Sequence, residues 1–167
     1  SGGSADAAVR NADKVIVEVN ETLPEGLVGM HDIFEIGLPP HARIIPITKP
    51  DDRVGTPYIP CPPEKIAAIV LTDRRDEPQK FKPYSEATRT IGVNVVKFLK
   101  QEIAAGRLPE NPGPIQSGVG SVGNAVLSCL ASSGFHGLSM YTEVMQDSAL
   151  NLIEQGVFDF VSTSSIA

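Results

Sequence analysis

Apolar and polar positions change rhythm several times along this chain, and each rhythm predicts an element. Lys14-Val-Ile-Val-Glu-Val19 is β-branched and nearly continuously apolar, the pattern of a strand in a buried parallel sheet, and Asn20, Glu21 and Pro24 stop it. Lys65-Ile-Ala-Ala-Ile-Val-Leu-Thr72 is a second such run. From Ser85 to Ala105, Ile91, Val95, Phe98, Leu99 and Ile103 recur at three- and four-residue spacing. That spacing predicts a long helix with these five on its buried stripe, closed by Gly106 and Pro109. A short buried helix is expected over Asn124 to Ala131, ended by Gly134. Leu138 to Tyr141 alternates weakly and reads as a short strand with Glu143 at its C-terminal edge. Asp147 or Ser148 caps a helix through Leu150 and Ile153 to Gly156, Val157 to Val161 is a closing strand, and Ser162 to Ala167 is a polar end. With a helical turn over Ala5 to Ala12, the order of elements predicts an α/β protein built on open sheets.

The stretches between these elements set the expected organisation. Eight of the fourteen prolines fall between Pro39 and Pro63, so residues 21–63 are expected to be irregular apart from a short Arg43 to Ile47 strand. A loop of that length is usually functional or an interdomain cover. Leu108 to Pro114 holds three prolines and a glycine and reads as a linker. Residues 1–4 read as a cloning scar or flexible lead. The expected division is therefore residues 5–107 as the end of one domain with its connecting helix, 108–114 as linker, and 115–167 as the start of a second.

Composition and charge narrow the function classes. At 167 residues and 41% hydrophobic, the chain has enough apolar content for a packed core. No stretch is long and apolar enough to span a bilayer, and no signal peptide opens it, so a soluble, cytoplasmic protein is expected. A mitochondrial site is the eukaryotic alternative. Cys61 and Cys129 have neither metal spacing nor a disulfide framework, which fits a reducing compartment. The net charge is −6, and no Lys or Arg follows Arg107, which argues against a nucleic-acid partner for the last sixty residues. The most basic segment, Asp73 to Lys82, reads as a solvated connector. His31-Asp32 and His41 lack a third ligand at a recognisable spacing, so no metal is expected. Asp51-Asp52-Arg53 reads as a local ion-pair turn, with Arg53 as a cation available to a phosphate. Glu18 and Asn20, at a strand end, line a site or cap the strand.

The candidate chemistry lies between Gln116 and Asp147. Ser117-Gly-Val-Gly-Ser-Val-Gly123 is a turn in which glycine lets successive amides face one anion-sized cavity, with the following helix adding its partial positive charge. Glu143 then arrives at a strand end, where open α/β sheets place their ligands. Gln146 and Asp147 stand beside it, Asp147 being equally well read as a cap. Two other readings compete. Gly118, Gly120 and Gly123 match G-x-G-x-x-G, and Glu143 lies twenty positions after Gly123, where an acid holds a ribose in a Rossmann-like dinucleotide-binding module. Against it, Pro112-Gly-Pro-Ile-Gln-Ser stands where that fingerprint wants an apolar strand. The plainer reading is a tight turn and a solvated acid.

Gln116-Ser-Gly-Val-Gly-Ser-Val-Gly-Asn-Ala-Val, followed by Tyr141-Thr-Glu-Val-Met-Gln-Asp, resembles the acetyl-CoA hydrolase/transferase family, a branch of the class I CoA-transferases. The resemblance continues through Asn11-Ala-Asp-Lys-Val-Ile-Val-Glu-Val-Asn20, Asp52-Arg-Val-Gly55, Lys65-Ile-Ala-Ala-Ile-Val70 and Gly106-Arg-Leu-Pro109. It implies a NagB/RpiA-like open-sheet fold, in a central segment of a two-domain enzyme about three times longer. It also implies an acyl-CoA:carboxylate CoA-transferase of acetate metabolism or, by the same intermediate, an acetyl-CoA hydrolase. Glu143 matches the glutamate that attacks the acyl-CoA thioester and becomes a glutamyl-CoA thioester. Such a carboxylate needs no base to activate it, because glutamate is ordinarily ionised at neutral pH. Gln116, Gly118, Val119, Gly120 and Asn124 match the positions that line the substrate. Coenzyme A is then a substrate rather than a resident cofactor, its partner a small carboxylate, and the assembly a homodimer or an association with the rest of the enzyme. A second glycine-rich motif, beyond the equivalent of Ala167, bears on the oxyanion hole, so turnover is expected to need it.

Overall fold

A computed structural model describes residues 4–37, 39–75, 77, 83 and 85–166. Most of the expected lead, and Lys80 and Lys82 of the basic connector, lie outside the described residues. The element order is α1 (Ala5–Asn11), β1 (Val15–Asn20), 3-10 turns at Glu25–Leu27 and Pro63–Lys65, β2 (Ile66–Thr72), α2 (Glu86–Ala104), α3 (Ser121–Ala131), β3 (Leu138–Met145), α4 (Asp147–Glu154) and β4 (Phe158–Ile166). The chain is α/β, as its pattern implies. It divides into two compact units, the first reaching Glu77 and the second following it, with Lys49–Asp51 grouped with the second.

In the first unit β1 and β2 pair in parallel, Val17 opposite Ile69 and Asn20 opposite Thr72. The two apolar runs form strands as read, but their surroundings differ from the expectation of a buried sheet: Ile16, Ile69 and Leu71 are 69%, 62% and 64% exposed. The expected Arg43 to Ile47 strand is absent. Pro39, Pro40 and Pro46 remove ladder donors there, Ile44 is exposed, and the Arg43 N–H closes a turn on the Ile36 carbonyl at 2.7 Å. The loop's extended pairing is an isolated antiparallel bridge between Ile33 and Thr56. Asp32 fastens it by accepting the N–H groups of Val54 and Gly55 at 3.0 and 2.8 Å, and Arg53 donates to the carbonyls of Gly29 and His31 at 2.7 and 2.6 Å.

The second unit carries the core. β3 and β4 pair in parallel, and Ile115 bridges Met140 in parallel on the other edge of β3. Leu127 and Leu130 of α3, Leu138 and Met140 of β3, Ala149 and Leu152 of α4, and Val157 and Phe158 pack together with Val96 of α2. Each fully buried leucine contributes roughly 1.5–3 kcal/mol. β4 runs through Ile166, so the stretch from Ser162 read as a polar end is strand.

Helix α2 forms where its spacing predicts, with Ser85 as N-cap accepting the Thr88 N–H at 3.3 Å. Its buried face is different. Gly92 and Val96 are buried, whereas Ile91 and Phe98 are exposed. The reason is the neighbour: α2 packs on α3 through Gly92, where a Cβ would stand 2.7 Å from the Ala125 carbonyl oxygen. At the far end Arg107 holds Glu102 through two hydrogen bonds of 2.6 and 2.7 Å. This guanidinium keeps the Glu102 carboxyl below its ordinary range.

Candidate active site

Glu143 lies within β3 rather than just beyond it, two residues before the strand ends at Met145. The strand alternates strictly over Leu138 to Glu143: Met140 and Thr142 are buried on the core face, while Tyr141 and Glu143 are exposed on the opposite one. The backbone of Glu143 is pinned from the neighbouring strand. Its carbonyl accepts the Thr163 hydroxyl at 3.0 Å and the Ser164 hydroxyl at 2.8 Å.

The glycine-rich turn is tied to this strand on both sides of Glu143. On one side the Thr142 hydroxyl donates to the Ser117 carbonyl at 3.0 Å and lies 3.4 Å from the Ser117 N–H. On the other, the Gln146 carboxamide donates to the Gly118 carbonyl at 3.2 Å and accepts the Gly120 N–H at 3.2 Å. A carbonyl can only accept and an N–H can only donate, so the orientation of the Gln146 amide follows from its partners.

The three glycines of the motif do different work. Gly120 has φ 127° and ψ −179°, a region open to glycine alone, and it is the N-cap of α3. Gly123 sits in the first turn of α3, where a Cβ would run into the Gly118 carbonyl oxygen and stand 2.8 Å from the Ser117 hydroxyl oxygen. Gly118 has neither constraint. The cavity of successive amides expected from the sequence is thus narrower in its donors. The Gly120 N–H is engaged by Gln146, and the N–H groups of Gly118 and Val119 have no partner among the described residues. The first three amides of α3 lack intrahelical acceptors by geometry.

The remaining candidates are distributed around this turn. Gln116 is exposed and its side chain donates to the adjacent Ser117 carbonyl at 3.1 Å. Val119 is exposed at the tip of the turn. Asn124 is half-buried and accepts the Ser148 hydroxyl at 2.6 Å, which joins α3 to α4. Asp147 is the first residue of α4, with Gln146 in the capping position. Thr142 was missed as a fastener, and the role of Gln146 was not legible. The available signal was a polar residue between the apolar Met145 and a helix start.

Two cavities lie elsewhere. One, of about 350 Å³, is lined by Arg89, Val93 and Lys100 of α2 and by Ser128, Cys129 and Ser132 at α3. The other, of about 290 Å³, opens at the ends of β1 and β2 among Glu18, Asn20, Arg74, Arg75 and Glu77. There Glu18 accepts the Thr72 hydroxyl at 2.9 Å and Asn20 donates to the Arg74 carbonyl at 2.8 Å, so both act as strand-end fasteners. Among the described residues no group of three metal-ligating side chains comes together, and no helix is long and apolar enough to cross a membrane.

Comparison with known proteins bears directly on the paired motifs. No family model matches the chain. Over 165 residues it is 48% identical to a succinyl-CoA:acetate CoA-transferase of Clostridium kluyveri, covering 99% of this chain and 31% of that protein. It is 41% identical to an acetyl-CoA hydrolase of Yarrowia lipolytica over 164 residues, covering 98% of this chain and 31% of that protein. An acetyl-CoA hydrolase of Saccharomyces cerevisiae is 40% identical over 166 residues, again with 99% and 31% covered. A solved 4-hydroxybutyrate CoA-transferase of Porphyromonas gingivalis aligns with a TM-score of 0.48 at 22% identity, covering 92% of this chain and 28% of that one. The likeness therefore runs along nearly the whole sequence: this chain aligns with a segment of these CoA-transferase and acetyl-CoA hydrolase relatives, spanning about 31% of their length.

Proposed function

We propose that the protein of which this chain is a segment transfers coenzyme A between an acyl-CoA and a small carboxylate, with Glu143 as the nucleophile. The observation that carries the reading is the 48% identity to a succinyl-CoA:acetate CoA-transferase along 99% of the chain. In this mechanism a Glu143 carboxylate oxygen attacks the thioester carbonyl, the C–S bond breaks, and CoA leaves as thiolate with an acyl-glutamyl anhydride behind. The thiolate then attacks the glutamyl carbonyl, releasing the acyl group as a carboxylate and leaving CoA on Glu143 as a thioester. An incoming carboxylate reverses these two steps and departs as the new acyl-CoA. Every bond made is matched by one broken, and no resident cofactor is needed.

The protein's contribution is charge stabilisation. Each tetrahedral intermediate places a negative charge on the former carbonyl oxygen, and losing one preorganised donor at such a site typically costs roughly a hundred-fold or more in rate. The Gly118 and Val119 amides are the donors this segment offers. Backbone donors suit a region with no Lys or Arg after Arg107.

A hydrolase is the second reading, favoured by the 40–41% identity to acetyl-CoA hydrolases. There water resolves the covalent intermediate. The two separate on whether added succinate accelerates loss of acetyl-CoA, as only a transferase requires.

The decisive experiment is the intact mass of the full-length enzyme before and after incubation with acetyl-CoA, followed by peptide mapping. A CoA-sized increment on Glu143, absent in Glu143→Gln, is the expected result. An increment that persists in Glu143→Gln, or maps to another residue, overturns the assignment of the nucleophile.

A further inference from the structure

One buried side chain bridges the turn and the strand that bears Glu143. Gln146 is 1% exposed, and both ends of its carboxamide are spent on the turn's backbone, the Gly118 carbonyl and the Gly120 N–H. Burying an amide is costly unless each polar atom finds a partner. Here both atoms do, so the turn and Gln146 are mutually determined. In a trans peptide the N–H and the C=O point in opposite directions. Drawing the Gly118 carbonyl onto Gln146 therefore turns the N–H of Val119 away from that side chain.

Resting on the reading of Glu143 above, we propose that Gln146 is a positioning residue for the covalent step. Its amide sets the peptide plane between Gly118 and Val119, and so aims the Val119 N–H as a donor beside Glu143. Only a side chain that both donates and accepts can do this. A neutral amide three residues after Glu143, just past the strand end, meets that requirement, and a carboxylate there does not. In Gln146→Glu one oxygen still accepts the Gly120 N–H, but the other faces the Gly118 carbonyl with no proton between them.

That contrast gives the test, made in the full-length enzyme. Gln146→Glu is expected to slow formation of the Glu143 adduct about 10- to 100-fold, the usual consequence of a small misplacement at a reacting centre, with KM for acetyl-CoA unchanged. Lowering the pH protonates the introduced carboxyl, which then donates to Gly118, so the ratio of variant to wild-type rate rises toward one. Residues 116–124 carry no titratable side chain, and the acids nearest to position 146 along β3 and α4 are Glu143 and Asp147. Both acids are present in the wild type as well, which is measured at each pH as the reference. Gln146→Met keeps the packing and loses both hydrogen bonds, and is expected to show the same loss without recovery at low pH.

Adduct rates within two-fold of wild type in both variants overturn the role, as does a raised KM with unchanged kcat. Absence of any adduct on Glu143 in the wild type overturns the parent reading of the nucleophile, and this role with it.

Discussion

Each unit of the chain is built on one pair of parallel strands, and the two pairs have opposite surroundings. β3 and β4 are joined by α4, an eight-residue helix whose Ala149 and Leu152 return to cover the apolar residues of both strands. β1 and β2 are joined by residues 21–65, where prolines cluster and the regular helical pieces described are 3-10 turns of three residues. Their outward apolar side chains remain exposed. Strand formation is thus a local property of β-branched runs, whereas burial is supplied by what crosses over. Parallel strands are ordinarily covered on both faces, and β1 with β2 is uncovered in a chain that spans about 31% of its relatives' length.

Three substitutions break or sharpen that contrast. Phe158→Ala, in the covered pair, is expected to cost about 3–5 kcal/mol in urea unfolding, because the site loses a fully buried ring among packed neighbours. A loss below about 1 kcal/mol would mean that the second pair is no better covered than the first. Gly92→Ala is expected to cost about 1–3 kcal/mol, since the added methyl meets the Ala125 carbonyl of α3, which cannot turn aside, as well as the Cys129 thiol. An unchanged midpoint would mean that the two helices separate without penalty. Ile69→Ala, in the exposed pair, is expected to cost less than about 1 kcal/mol in this chain. In the full-length protein the same substitution tests for further cover, because a loss several-fold larger there would show that other parts of the protein bury β2.

The sequence showed strands and helices where residue type alone decides, and fell short where a partner decides. β1, β2 and α2 were legible because branching and spacing are properties of the segment itself. The buried face of α2 was not: the spacing of Ile91 and Phe98 favours large residues, while the contact with α3 is made at Gly92, the smallest. The length of β4 was hidden for a related reason. Thr163 and Ser164 look like a polar tail until their hydroxyls are seen to bond the Glu143 carbonyl. At the candidate site, Glu143 and the glycine turn were legible through paired motifs. Thr142 was not, and neither was the fastening role of Gln146, since their hydrogen bonds connect residues more than twenty positions apart.

The unequal glycines of the turn have a consequence for sequence space. Written as a motif, Gly118, Gly120 and Gly123 carry the same letter and the same apparent demand. Read atom by atom, position 118 has room for a methyl group, position 120 excludes side chains through its dihedral angles, and position 123 excludes them because a backbone oxygen already fills the volume. That oxygen belongs to Gly118 and is itself held by Gln146, so it has little freedom to withdraw. Relatives drifting apart by mutation would therefore hold position 123 because of a residue twenty-three places downstream, and the mutational tolerance of the glycine loop is written partly in a glutamine outside it.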